Sequence, residues 1–220
     1  MLKVYSAWSL DEWVEMFVGI YGSGNESTSD SDLWLHVVEE VGELAEGLRK
    51  IDGSDDEFLE NIADTFAWMC AFAERYGSFE DMVWEKYPSA CFYCVQEIDC
   101  VCPVDKKDEE KLKNLSTTER PSNLYGWQNM LNRVYGKANQ ERTLEEIGFH
   151  LFEEIGEVAK ALRKKDPEEI RNELADSFAW LAALINRYDS GLQLGDIIWK
   201  RYPDKCPHCE TKPCKETYND

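Results

Sequence analysis

The stretch that begins at His36, HVVEEVGELAEGLRK, returns at His150 as HLFEEIGEVAKALRK. The correspondence is wider than this segment. Trp13, Met16, Tyr21, Gly22, Asn25 and His36 reappear as Trp127, Met130, Tyr135, Gly136, Asn139 and His150, each 114 residues later. A second register carries IADTFAW (Ile62 to Trp68) into LADSFAW (Leu174 to Trp180), 112 residues later, and the likeness ends at Tyr87-Pro88 and Tyr202-Pro203, 115 apart and each followed by C-x-x-C. A fold for this chain must therefore be one that can be built twice, from homologous modules of about 100 residues. We place the modules at residues 1–102 and 123–220. Between them PVDKKDEEKLKNLSTTERPS, residues 103–122, is charged, poor in apolar residues and bounded by prolines, as a linker is.

The periodicity inside each module is helical, and no stretch sustains the period-two alternation of a strand. Ser9 followed by Glu12 is a capping-box signature for a helix to about Tyr21, matched by one from about Leu124 to Tyr135. The E-E-x-x-E helices are expected over Asp32 to Lys50 and Leu144 to Lys165. In the first of them Val37, Val41, Leu44 and Leu48 form one apolar stripe. Third helices are expected over Glu57 to Tyr76 and Pro167 to Tyr188, each followed by a short final helix. The fold class is all-α.

Composition narrows the partners. A formal charge of −20 repels phosphate backbones and anionic lipid, which argues against nucleic-acid and membrane binding. An anionic small substrate needs a divalent cation or local Arg and Lys to offset the field. Such acidity suits a salt-rich cytosol as well as an ordinary acidic enzyme. Six of the eight Trp fall into repeat-related pairs, a sign of a packed interior. No apolar run approaches the roughly 18 residues that cross a bilayer, and the N-terminus has no signal-peptide pattern, so a cytoplasmic protein is expected.

Carboxylates three and four apart on a helix share a face, so Glu39, Glu40 and Glu43 project together, as do Glu153, Glu154 and Glu157. Acidic clusters alone are usually solvated faces. The third helices add Asp64 and Asp176, set among apolar neighbours, and a buried carboxylate is costly without a cation or hydrogen bonds. Glu173 precedes Asp176 by one turn. Two facing helices would then offer Glu154, Glu157, Glu173 and Asp176 as hard oxygen ligands, a set suited to Mg²⁺ or Mn²⁺ rather than zinc.

E-E-x-x-E followed by E-x-x-D in an all-helical module resembles the MazG-like family of the all-α nucleoside triphosphate pyrophosphohydrolases, a superfamily that includes dimeric dUTPases. The resemblance covers both modules and leaves out the linker. It implies that Glu154, Glu157, Glu173 and Asp176 hold Mg²⁺, and that Glu153 orients or deprotonates the attacking water. The implied reaction converts a nucleoside triphosphate to monophosphate and pyrophosphate, in the service of clearing unwanted nucleotides. It further implies two modules packed as a pseudo-dimer within one chain; whether chains associate further is left open. The corresponding first-module set is Glu39 as base with Glu40, Glu43, Asn61 and Asp64 as ligands. There the pattern departs: Glu60-Asn61 stands opposite Asn172-Glu173, so one acidic ligand is exchanged for an amide. A dUTPase-like enzyme and a non-catalytic metal- or nucleotide-binding protein are the alternatives.

Four further pairs are candidates for substrate contact, each with a plainer role beside it. Arg49, Lys50, Arg163 and Lys164 either stabilise helix C-termini or contact polyphosphate. His36 and His150 either pack or touch substrate. Trp68 and Trp180 either fill the core or stack on a base. Finally, Cys91, Cys94, Cys100 and Cys102 supply four thiolates within twelve residues, enough for a structural zinc, and Cys206, Cys209 and Cys214 repeat three of them. Reduced or redox-active thiols are the competing reading. As zinc clasps, these clusters would pin the end of each module.

Overall fold

Eight α-helices and no strand are found among the described residues of the computed structural model, which are 4–50, 56–101 and 119–215. Residues 102–118, most of the expected linker, lie outside them, as does Cys102. In the first half α1 spans Leu10–Asn25, α2 Asp30–Arg49, α3 Asp56–Ala73 and α4 Phe79–Lys86. In the second half α5 spans Leu124–Gln140, α6 Leu144–Lys164, α7 Pro167–Tyr188 and α8 Leu194–Arg201. The same order of helices therefore occurs twice.

Local chemistry sets the ends. Ser9 with Glu12, and Thr143 with Glu146, form reciprocal capping boxes at the starts of α1 and α6. Asp166 caps α7, and Pro167 takes its first position, where a missing N–H costs nothing. α1 and α5 run four and five residues further than the sequence suggests, through Gly22 and Gly24 in one and Gly136 in the other. α3 tightens into a 3₁₀ turn over Glu74–Tyr76, and Gly77 at φ 109° then reverses the chain. That reversal aims α4 at the other half.

α2 pairs with α3, and α6 with α7, as two long hairpins that meet through α2 and α6. At this seam Trp34 Nε1 donates to the Ile155 carbonyl at 3.1 Å in the interior. The short helices then cross over: α4 packs on α7, and α8 packs on α3. The rings follow the same exchange. Phe79 meets Phe178 at 5.5 Å between centroids, and Tyr202 meets Phe17 at 5.1 Å. One apolar core results, built by both halves, with Trp13, Phe66, Trp127, Phe178 and Leu184 fully enclosed.

The cysteine loops that follow α4 and α8 continue the exchange. The Cys100 N–H donates to Val134 of α5 at 2.6 Å, and the Cys214 N–H donates to Ile20 of α1 at 2.7 Å. Val134 and Ile20 are themselves repeat partners. Each loop thus lies on the half that did not produce it.

Candidate active site

The facing surfaces of α6 and α7 bring one oxygen each of Glu154, Glu173 and Asp176 within 4.8 Å of one another. Their helical spacing explains this: Glu173 and Asp176 lie one turn apart on α7, and Glu154 approaches from α6. Three carboxylates so close cannot all ionise cheaply. Burial, aided by the Asp176 and Glu173 charges, pushes the Glu154 carboxyl up to about 8. Burial also raises Glu173 and Asp176, with Lys86 opposing the shift at both and Tyr87 at Asp176. Glu157 does not join the cluster, since its carboxylate turns to Lys160 at 2.6 Å.

The partners of Asp176 come from the first half. Lys86 Nζ lies 2.7 Å from one of its oxygens, and the Tyr87 hydroxyl donates to the other. The mirror arrangement holds Asp64 through the second half. Arg201 reaches both Asp64 oxygens at 3.2 and 3.1 Å and also Glu60 at 3.2 Å, while the Tyr202 hydroxyl donates to Asp64. Each half therefore neutralises the other's buried aspartate with a cation and a tyrosine. Lys86-Tyr87 and Arg201-Tyr202 stand side by side in the repeat, but sequence reasoning used the tyrosines only as end markers.

The Arg201 clamp accounts for the exchanged Glu60-Asn61. Glu60 pairs with Arg201, Asn61 is buried at the acidic position, and no first-half carboxylate triad occurs among the described residues. Glu40 remains half-buried, raised to about 7 by burial and then by the Asp64 and Glu43 charges.

Glu153, His150 and Trp180 form a linked set beside the cluster. Glu153 is 71% exposed, meets His150 Nδ1 at 3.1 Å, and the imidazole stacks on Trp180 with centroids 4.4 Å apart. Glu39, His36 and Trp68 repeat it at 3.5 and 4.2 Å. In each set the tryptophan supports the imidazole, which in turn meets the exposed glutamate.

A cavity of about 630 Å³ opens over the second-half cluster. Glu154, Asp176 and Trp180 line it together with Lys86, Tyr93 and Arg142. The Arg142 guanidinium sits 5.9 Å over the Trp180 ring. The first-half cavity, of about 320 Å³, holds Glu39, Glu40, Glu43, Asp64, Trp68 and Arg201. A site for a drug-sized or nucleotide-sized ligand needs roughly 300–1,000 Å³, so the second is ample and the first marginal. Lys86 and Tyr93 went unread in the sequence, because nothing local says that α4 and the loop beyond it fold over α7; Arg142, between α5 and α6, belongs to no motif. Arg163 and Lys164, nine and ten residues past Glu154 on one helix, stand about 14 Å or more along its axis and do not line the cavity. Arg49 and Lys50 are likewise exposed at the end of α2, with Lys50 paired to Glu46.

The cysteines gather as two triads, Cys91, Cys94 and Cys100, and Cys206, Cys209 and Cys214, each with sulfurs within 4.8 Å. Burial opposes ionisation of Cys91, yet the Cys94 and Tyr93 backbone amides bring its thiol down to about 7. Thr211 and nearby amides lower Cys209 to about 6.

A family model, the MazG nucleotide pyrophosphohydrolase domain, matches residues 142–210. The match begins at Arg142, takes in the whole carboxylate cluster and ends just past the second C-x-x-C. No curated protein and no solved structure matches the chain. No helix among the described residues is long and apolar enough to cross a membrane.

Proposed function

We propose, from the match of residues 142–210 to the MazG nucleotide pyrophosphohydrolase domain model, that the protein hydrolyses a nucleoside triphosphate to monophosphate and pyrophosphate with Mg²⁺ in the second-half pocket. The observation that carries this is the convergence of Glu154, Glu173 and Asp176 within 4.8 Å, with Glu154 and Asp176 lining a cavity large enough for a nucleotide. The donor set fits the ion: three hard oxygens, all on carboxyls raised chiefly by burial and kept close to one another, form a site that a divalent cation would relieve. Mn²⁺ fits the same donors. Bound there, Mg²⁺ supplies charge neutralisation to the triphosphate and to the charge that develops on it.

The remaining work falls to side chains. Glu153, exposed and held by His150, accepts the proton of a water whose oxygen attacks the α-phosphorus, as the bond to the departing pyrophosphate breaks. Lys86 and Arg142 bring positive charge to a chain of net charge −20 that would otherwise repel the substrate. Trp180 and Tyr93 offer flat surfaces on which a base can lie. We read the chain as two tandem modules acting in the cytoplasm as an intramolecular pseudo-dimer, in which the first pocket, with Asp64 clamped by Arg201, is the non-hydrolytic partner.

The test is a screen of canonical and modified nucleoside triphosphates with Mg²⁺, following pyrophosphate and orthophosphate separately. Pyrophosphate with monophosphate is expected. Diphosphate with orthophosphate would place the chemistry at another bond, and tight nucleotide binding without turnover would make this a binding protein.

The first pocket yields its own prediction. Glu60→Asn with Asn61→Glu restores the second-half pattern, and adding Arg201→Lys opens the clamp in the manner of Lys86. Titration with Mn²⁺ should then find one more tight divalent site per chain than in the parent protein. An unchanged stoichiometry would show that the exchanged order is not what closes this pocket.

A further inference from the structure

The sulfurs of Cys94 and Cys100 lie 3.5 Å apart, and those of Cys209 and Cys214 lie 3.7 Å apart. A disulfide would require about 2.05 Å. Thiolates bound at 2.3 Å to one tetrahedral ion stand about 3.8 Å from each other, so the observed spacing is that of sulfurs around a shared cation. Their backbone is shaped alike. The Cys91 N–H donates to Gln96 and the Val95 N–H to Cys91, at 2.8 and 2.9 Å; Cys206, Thr211 and Glu210 repeat both bonds at 3.1 and 3.0 Å. Val95 and Glu210, next after each C-x-x-C, share a left-handed backbone at φ 64° and 56°. For a β-branched valine that conformation is unfavourable, so the loop is held by what its ends bind.

These loops are also walls. Cys91, Phe92, Tyr93, Cys100 and Val101 line the second-half cavity, although all five belong to the first half. His208 of the second loop lines the first-half cavity. The Phe92 N–H meets the Tyr135 hydroxyl at 3.2 Å, and the bond from Cys100 to Val134 fixes the far end of the same loop.

We propose that each cysteine triad holds a Zn²⁺ ion, and that this ion fastens its loop across the opposite half, where the loop closes that half's pocket. Soft thiolates select Zn²⁺ over the Mg²⁺ of the carboxylate cluster, and the thiols give up their protons to solvent as the ion binds. A fourth ligand from outside each triad completes the tetrahedron. Only the identity of the pocket's occupant, a nucleotide, rests on the function proposed above; the metal and the docking do not.

The experiment uses the whole chain, purified reduced and without chelator. Elemental analysis should find two equivalents of zinc, of which Cys94→Ser removes one and Cys209→Ser the other. Cobalt substituted for zinc should show the visible absorption of a tetrahedral, sulfur-rich site, a readout that needs no variant. Amide hydrogen exchange then reads the docking: stripping zinc should speed exchange in residues 91–101 and 206–215 by about tenfold or more, and added Zn²⁺ should reverse it. Protein that holds no zinc and takes up none overturns the proposal, and so does zinc whose removal leaves exchange in both loops unchanged. If no triphosphate analogue binds while zinc and exchange behave as described, the nucleotide reading falls and the clasp stands.

Discussion

Asp176→Asn removes magnesium-dependent turnover while the helical circular dichroism stays that of the parent. The substitution keeps the side chain's shape and its hydrogen bond from Tyr87, and it takes away the most enclosed anion of the cluster. Losing several kcal/mol of metal-mediated stabilisation corresponds to about a thousandfold or more in kcat. Asp64→Asn, whose aspartate is already claimed by Arg201, should leave turnover within about threefold of the parent, since it lies outside the reacting pocket. The reverse pattern, with Asp64→Asn inactive and Asp176→Asn normal, would assign the chemistry to the wrong half.

Lys86→Met should give a protein whose stability depends on Mg²⁺. Lys86 and Asp176 are 12% and 14% exposed, so removing the ammonium strands a carboxylate in a poorly solvated place. Breaking such a pair costs about 3–5 kcal/mol, or about 10 °C in Tm for a chain of this size. In chelator the variant melts low. With Mg²⁺ at a hundred times the variant's Kd about 2.7 kcal/mol returns, more than the parent gains at the same concentration, because in the parent Lys86 competes with the ion for Asp176. Calorimetry in the two conditions decides the matter. An equal loss with and without Mg²⁺ would mean that Lys86 matters for packing alone.

How far the sequence carries can be followed residue by residue. The helices were legible because their signals are local: Ser9 with Glu12 at one start, Pro167 at another, and an apolar stripe between. The meeting of Glu154 with Glu173 and Asp176 was legible as well, since the turn-to-turn spacing on each helix leaves only the pairing of the two helices to be supplied. Glu157 shows the limit. Its position on α6 is right for the cluster, yet Lys160, one turn on, draws its carboxylate away. Lys86 and Arg201 were illegible for another reason. They sit 90 and 137 residues from the aspartates they neutralise, and only the crossing of the short helices joins them. The gathering of the cysteines was readable from their spacing, but the half they lie upon follows from backbone bonds to Val134 and Ile20 that no motif encodes.

When two identical chains share their pockets, every substitution strikes both at once. The tandem arrangement proposed above would lift that restriction, and the crossed segments determine which codons answer for which pocket. Lys86 and Tyr93 are written in the first half and line the second cavity, whereas Arg201 and His208 are written in the second and line the first. Selection on the hydrolysis proposed for the second pocket would therefore fall also on codons of the half in which no carboxylate triad occurs among the described residues. The first half cannot be discarded on that reading, because its deletion would carry away a side of the second-half cavity.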